Sequence, residues 1–286
     1  MQKFKFLILF LLPFMAFAQE KSSGFYGTFD TGVEYLNLQT SDKKSKVNKG
    51  NIGTLRVKAG YEWDTGWRFG VLFERSGDGA TSSDFTGAPF VRGTEHLPYS
   101  RSDGVFANSF LLGLQGGYHF VRSYERDLYV NFYVNSVDNA QTLIFPIVNH
   151  DGSTEFKLEL EGRQLVLPKW SLGYTIGASL ANGKQIIETV DDKKFLRFGA
   201  AGDDEIKVDI DGMIWGLYGD LKWIYHANST MDFFVKWDVK AKFYPQSKAV
   251  RTSAFDILNN RSLGDVTLHT PKYRTFRSGI SLGFAF

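Results

Sequence analysis

The sequence predicts an all-β fold, an antiparallel transmembrane β-barrel of about ten strands, and three observations carry that reading. The final eleven residues, 276–286, read F-R-S-G-I-S-L-G-F-A-F. Phe276, Ile280, Leu282, Phe284 and Phe286 share one face of a strand, and Arg277, Gly279, Ser281, Gly283 and Ala285 share the other. That second face is mostly small, as expected where side chains crowd inward across a closed barrel. The same alternation recurs along the chain in segments of about 9 to 11 residues, the length a tilted strand needs to cross a bilayer. Apart from an N-terminal apolar run over 6–17, no stretch approaches the ~20 apolar residues of a spanning helix.

Composition agrees. The 29 Gly, 26 Phe, 13 Tyr and 6 Trp against 7 Pro suit many strands and turns. A mean hydropathy of −0.21 averages outward apolar residues with inward polar ones. With no cysteine there is no disulfide staple, so a closed hydrogen-bond ladder must supply stability. A formal charge of +2 gives no sign of a nucleic-acid partner, and no motif implies a cofactor or a metal.

The closing strand resembles that of bacterial outer-membrane β-barrel proteins, the porin-like and OmpA-type barrels. The resemblance implies residence in the outer membrane among lipid and lipopolysaccharide. It also implies that Phe284 and Phe286 belong to a signal read by the barrel-assembly machinery. The other end fits export: Lys3 and Lys5 precede the apolar run, and Ala16-Phe17-Ala18 offers small residues where a signal peptidase cuts. Residues 1–18 are expected to be a cleaved signal peptide and 19–286 the barrel, with no lipobox cysteine for a lipid anchor.

The strands follow in order. The first, over 25–38, turns Phe25, Phe29, Val33 and Tyr35 outward and Thr28, Asp30 and Glu34 inward. The second, over 54–63, puts Leu55, Val57, Ala59, Tyr61 and Trp63 outward against Arg56, Lys58 and Glu62. A turn at Asp64-Thr65-Gly66 leads to a third with Trp67, Phe69, Val71 and Phe73 outward. A fourth spans 105–120, and a fifth starts at Leu128. Trp170, Leu172, Tyr174, Ile176 and Leu180 mark a sixth ending at the hairpin signal Asn182-Gly183, with a weak seventh through Ile186 and Val190. The eighth (Met213 to Tyr225) and ninth (Met231 to Phe243) alternate clearly, and the tenth closes on the first. Between Ile206, Val208, Ile210 and Met213, Trp215 the apolar phase switches, which predicts a bulge near Gly212.

An even count puts both termini in the periplasm. The short side comprises 64–66, 121–126, 181–183 and 226–230, flanked by an aromatic girdle that includes Trp63, Trp67, Trp223 and Phe286. The long side comprises 39–52, 77–104, 138–169, 199–211 and 245–271. Within the third of these, 142–148 and 155–160 flank Asn149-His150-Asp151-Gly152, which predicts a hairpin tip above the membrane. Counting that hairpin as a separate pair gives twelve strands, the alternative architecture.

The predicted lumen is lined by charge on one half: Asp30, Glu34, Arg56, Lys58, Glu62, Arg68, Glu74, Asp220, Lys222, Asp232, Lys236, Asp238, Lys240 and Arg277. Strands four to six contribute smaller or neutral residues, among them Gly113, Gln115, Asn131, Gly173 and Ser179. The charged half is expected to pair internally, with any passage running beside the small half; a fully plugged lumen is the alternative. The function expected is a narrow passive channel for small solutes, or else a non-conducting surface barrel for adhesion or an extracellular ligand.

Size and strand count also resemble the omptin family of outer-membrane proteases, which implies paired aspartates and an Asp-His pair at the extracellular mouth. Asp84, His96, Asp103, His150, Asp151, Asp209 and Asp211 are the residues available, and none has the family spacing. No catalytic residue is expected.

Overall fold

The computed structural model describes residues 23–40, 48–77, 81–82, 91–92, 107–123, 125–144, 147–189, 196–198, 205–256, 260–270 and 272–286. The expected signal peptide, 1–18, lies outside them. Ten long strands run β1 (Gly24–Thr40), β2 (Asn48–Glu62), β3 (Trp67–Gly77), β4 (Ala107–Arg122), β5 (Arg126–Ile144), β6 (Ile147–Leu167), β7 (Trp170–Thr189), β8 (Ile214–His226), β9 (Asp232–Tyr244) and β10 (Tyr273–Ala285). Each pairs antiparallel with the next, and β10 pairs with β1, so the sheet closes without an edge. At the seam, Gly27 and Phe286 exchange both backbone hydrogen bonds at 3.0 Å. Gly27 leaves room for the Phe286 ring, whose nearest atom lies 2.5 Å from where a Cβ would stand.

Alternation places the apolar phase outside. Phe69, Leu112, Phe132, Leu158, Ile176, Leu217, Trp237 and Leu282 are all exposed, a continuous apolar wall that only lipid can cover. The architecture is that of an outer-membrane β-barrel. Short connections join β2 to β3, β4 to β5, β6 to β7 and β8 to β9. Gly66, with φ of +87°, makes the first of them, donating its N–H to the Trp63 carbonyl at 2.9 Å.

Ten strands are present, but two are not those the pattern suggests. Asn182-Gly183 makes no hairpin: β7 runs straight through it, with Asn182 opposite Thr154 and Gly183 opposite Ser153. The ladder with β6 holds the segment extended, although pairing on its other side pauses between Ala181 and Lys184, and Gly183 serves close packing, since a Cβ there would lie 2.5 Å from the Gly152 carbonyl oxygen. Nor is 149–152 a tip. It lies inside β6, paired with 138–141 of β5, and the chain reverses between Ile144 and Ile147. The third short turn is therefore at Pro168-Lys169, between β6 and β7, rather than at 181–183.

The expected bulge near Gly212 is present: from Asp209 to Ile214 the chain takes five steps against three from Lys184 to Ala181 of β7, and the two extra residues preserve the strand's parity. Val208, Ile210 and Ile214 are all buried, so the inward phase is unbroken, while Gly212 (φ +130°) sits in a bend before β8. Within the lipid band apolar residues face out; above it they face in. The same reversal separates Val33 and Tyr35 from buried Leu36 and Leu38, and Phe243 from buried Tyr244.

Beyond that boundary lies a second sheet of four short strands, Leu196–Phe198, Val250–Asp256, Arg261–Leu268 and Val91–Arg92. Its hairpin is tied down where Lys248 N–H donates to the Asp209 carbonyl at 2.8 Å and Asp211 N–H to the Gln246 carbonyl at 2.9 Å. Leu268, Val266 and Ala254 give it a buried apolar face.

Candidate functional site

The lumen is built around Arg56. Register sets Asp30 of β1, Arg56 of β2 and Glu74 of β3 side by side. Arg56 Nη1 donates to Asp30 Oδ1 at 3.1 Å, Nη2 lies 3.2 Å from Asp238 Oδ2, Nε lies 3.4 Å from Glu74 Oε2, and the guanidinium also pairs with Glu34. Lys236 Nζ adds a 2.7 Å bond to Asp30, and Lys240 Nζ one of 2.6 Å to Glu74. Gly279 of β10 lies between Glu34 and Asp238 in the same row, and a Cβ there would meet Glu34 Cγ at 2.5 Å. The glycine thus lets β1 and β9 carboxylates converge on one cation. With Arg56 only 8% exposed, such pairing is what makes its burial tolerable.

A second layer crosses the barrel nearer the periplasmic end. Glu161 of β6 accepts from Arg68 Nη2 of β3 at 2.6 Å and Lys58 Nζ of β2 at 3.2 Å. Arg68 Nε also donates to Asn131 Oδ1 at 2.7 Å, and its guanidinium lies 3.8 Å from the Tyr129 ring centroid. Gln115 Nε2 donates to the same Asn131 oxygen at 3.1 Å and its own carbonyl accepts from the Tyr26 hydroxyl at 2.9 Å. A Cβ on Gly117 would crowd both Asn131 and Arg68. The small-residue half is thus filled by its own Gln115 and Asn131 together with Arg68 from the adjoining strand and Tyr26.

Free space inside is divided. A cavity of about 110 Å³ lies among Lys58, Glu161, Lys222 and Lys236, and one of about 60 Å³ lies toward the outside among Ser109, Glu155, Lys242 and Arg277. A third, about 730 Å³, opens at the periplasmic mouth.

The other predicted lumen residues sit as follows. Lys222 Nζ is 3.7 Å from Asp220 and 3.8 Å from Glu161. Arg277 Nη1 donates to Ser76 Oγ at 3.1 Å, and Glu62 accepts from Arg122 at 2.9 Å and lies 2.9 Å from His119 Nδ1. A Cβ on Gly113 would strike the Asn135 amide, and one on Gly173 would lie 3.0 Å from Ile224 Cδ1. Phe284 stacks on Phe29 across the seam, 5.4 Å between centroids. Asp84, His96 and Asp103 lie outside the described residues; His150 and Asp151 are in β6, and Asp209 and Asp211 flank the Ile210 bridge to Ser247.

Sequence reasoning missed β6 as a wall, and with it Glu155, Lys157, Glu159, Glu161 and Arg163. The signal was present: E-F-K-L-E-L-E-G-R alternates charge with Phe156, Leu158 and Leu160. Also missed was a hydrogen-bonded row at the periplasmic mouth, Ser171, His226 and Asp232. Their positions, 171, 226 and 232, carry no local motif, so only the register of three strands reveals it.

No protein-family model matches the chain, and no curated protein matches it in sequence. Solved structures that it resembles include the outer membrane protease OmpT from Escherichia coli, at 13% identity over 94% of this chain and 100% of that one, with a TM-score of 0.47. The translocator domain of the autotransporter NalP from Neisseria meningitidis is 9% identical over 99% of this chain and 95% of that one, with a TM-score of 0.42. The Pseudomonas putida toluene transporter TodX is 9% identical over 93% and 89%, with a TM-score of 0.39.

Proposed function

We propose that this chain is a non-conducting barrel of the outer membrane, acting through what it displays rather than through what it passes. The observation that carries this reading is the Glu161 cluster, in which β2 and β3 cations meet a β6 carboxylate across the lumen. A ten-strand barrel has little spare width, and ion pairs that span it reduce the free space in that layer to the pocket of about 110 Å³ beside them. The display surface is the extracellular end, where β5, β6 and β7 extend upward beside the four-stranded sheet.

At the outer rim, Lys272 and Arg274 border a cavity of about 480 Å³ floored by Trp215 and Phe243, whose rings stack at 3.9 Å. Cations beside an apolar wall suit the phosphates and acyl chains of lipopolysaccharide. In this reading residues 1–18 are removed on export and the assembly machinery reads Phe284 and Phe286.

Planar-bilayer recording of the refolded chain tests the proposal. The expected result is silence from wild type and discrete conductance steps once Lys58, Arg68 and Glu161 are all replaced by serine. Steps of stable size from the folded wild type would restore the channel reading.

A further inference from the structure

We infer that the periplasmic mouth is a hydrolase site in which Ser171, His226 and Asp232 act as nucleophile, base and orienting carboxylate on a small anionic ester. This goes beyond the closed-barrel reading and does not depend on it.

Ser171 Oγ lies 2.7 Å from His226 Nε2, and His226 Nδ1 lies 2.7 Å from Asp232 Oδ1. A carboxylate only accepts, so Nδ1 carries the ring proton and Nε2 is free to take the serine hydroxyl proton. That is the arrangement by which an imidazole activates a serine, recognised by geometry and not by order in the chain. Three adjacent strand ends hold it. Ser171 is the second residue of β7, His226 ends β8, and Asp232 begins β9 directly opposite His226. His226 N–H also donates to the Lys169 carbonyl at 2.9 Å, which fixes the strand end that carries the base.

The row faces the cavity of about 730 Å³, large enough for a drug-sized ligand. Ser171 is buried at its floor, so attack falls on an ester seated in the cavity and not on one in bulk solution. Arg122 and Arg163 border the same space, Arg122 paired with Glu62 at 2.9 Å and Arg163 with Asp127, and Arg163 Nη1 also lies 3.8 Å from Asp232 Oδ2, beside the row. A substrate carboxylate or phosphate would share these guanidinium groups with Glu62 and Asp127, and they supply positive charge for the carbonyl oxygen as it becomes an oxyanion. A cluster that merely tied the 227–231 turn to its strands would not need the open space in front of Ser171.

The chemistry balances with water alone. Ser171 Oγ bonds to the ester carbonyl carbon while its proton passes to His226 Nε2. The carbon–oxygen bond to the alcohol breaks, and the alcohol leaves with that proton. Water then attacks the acyl-serine and gives a proton to His226. The carboxylic acid departs as Ser171 Oγ takes the proton back. One water is consumed per ester, and nothing is oxidised.

The test uses the full chain refolded in detergent, with heat-modifiable migration as the check of folding. A fluorophosphonate probe followed by peptide mapping should label Ser171, a measurement that needs no variant. Mono-4-nitrophenyl succinate should be hydrolysed faster than 4-nitrophenyl butyrate. Ser171→Ala and His226→Gln should each lower that rate by at least about 100-fold. Arg163→Met should raise KM for the succinate ester while leaving that for the butyrate ester unchanged. A folded barrel that neither labels nor turns over either ester sinks the inference, as does labelling of a serine other than Ser171 or wild-type turnover by Ser171→Ala.

Discussion

Arg56 and its partners are unequal. The guanidinium faces Asp30, Glu34, Glu74 and Asp238, so its removal leaves those four carboxylates to Lys236, Lys240 and the more distant Arg277, whereas loss of one carboxylate leaves the cation three others. Arg56→Met should therefore cost about 3–5 kcal/mol of unfolding free energy, the range for breaking a buried ion pair, and Asp238→Asn clearly less. Urea titration in detergent micelles, followed by tryptophan fluorescence, measures both; equal costs would mean that the charges are solvated. At this scale the sequence was informative about which residues turn inward, because strand parity alone gives that. It was silent about who meets whom across the lumen, because such pairs depend on barrel diameter and side-chain reach. Arg68 meeting Glu161, 93 positions later, has no local signature.

At the level of elements, eight of the ten strands were legible and β6 and β7 were not read correctly. The Asn-Gly pair at 182–183 satisfies a hairpin rule locally, yet the unbroken ladder with β6 outweighs a two-residue preference. The corrected topology makes a sharp prediction. A short epitope inserted after Pro168 should be tolerated and remain hidden from antibody on intact cells, while the same insert after Asn182 should abolish the heat-modifiable folded band. Surface labelling at Pro168 would reverse the orientation of the barrel. A second expectation concerns depth. Replacing outward Ile176 by Arg should cost about 2–4 kcal/mol, against about 0–1 kcal/mol for Trp63 beside the first periplasmic turn, because the penalty for a charge falls from the bilayer midplane to its interface. Equal penalties in refolding titrations would mean that the exposed wall is not in lipid.

For the whole molecule, closure was readable from the terminal strand, and the Gly27–Phe286 pairing is where it is completed. The inner filling was only half readable, since omission of β6 hid a charged wall facing β2 and β3. The unequal strands have a further consequence. β6, with 21 residues, runs roughly 70 Å at ~3.3 Å per residue, or roughly 50 Å of height at a tilt near 45°. The apolar band of such barrels is only ~25 Å tall. About half of that strand therefore stands clear of the lipid, like a pier. A molecule confined to the same leaflet brushes its flank, and only one arriving from the surrounding medium, or from another cell, meets its summit.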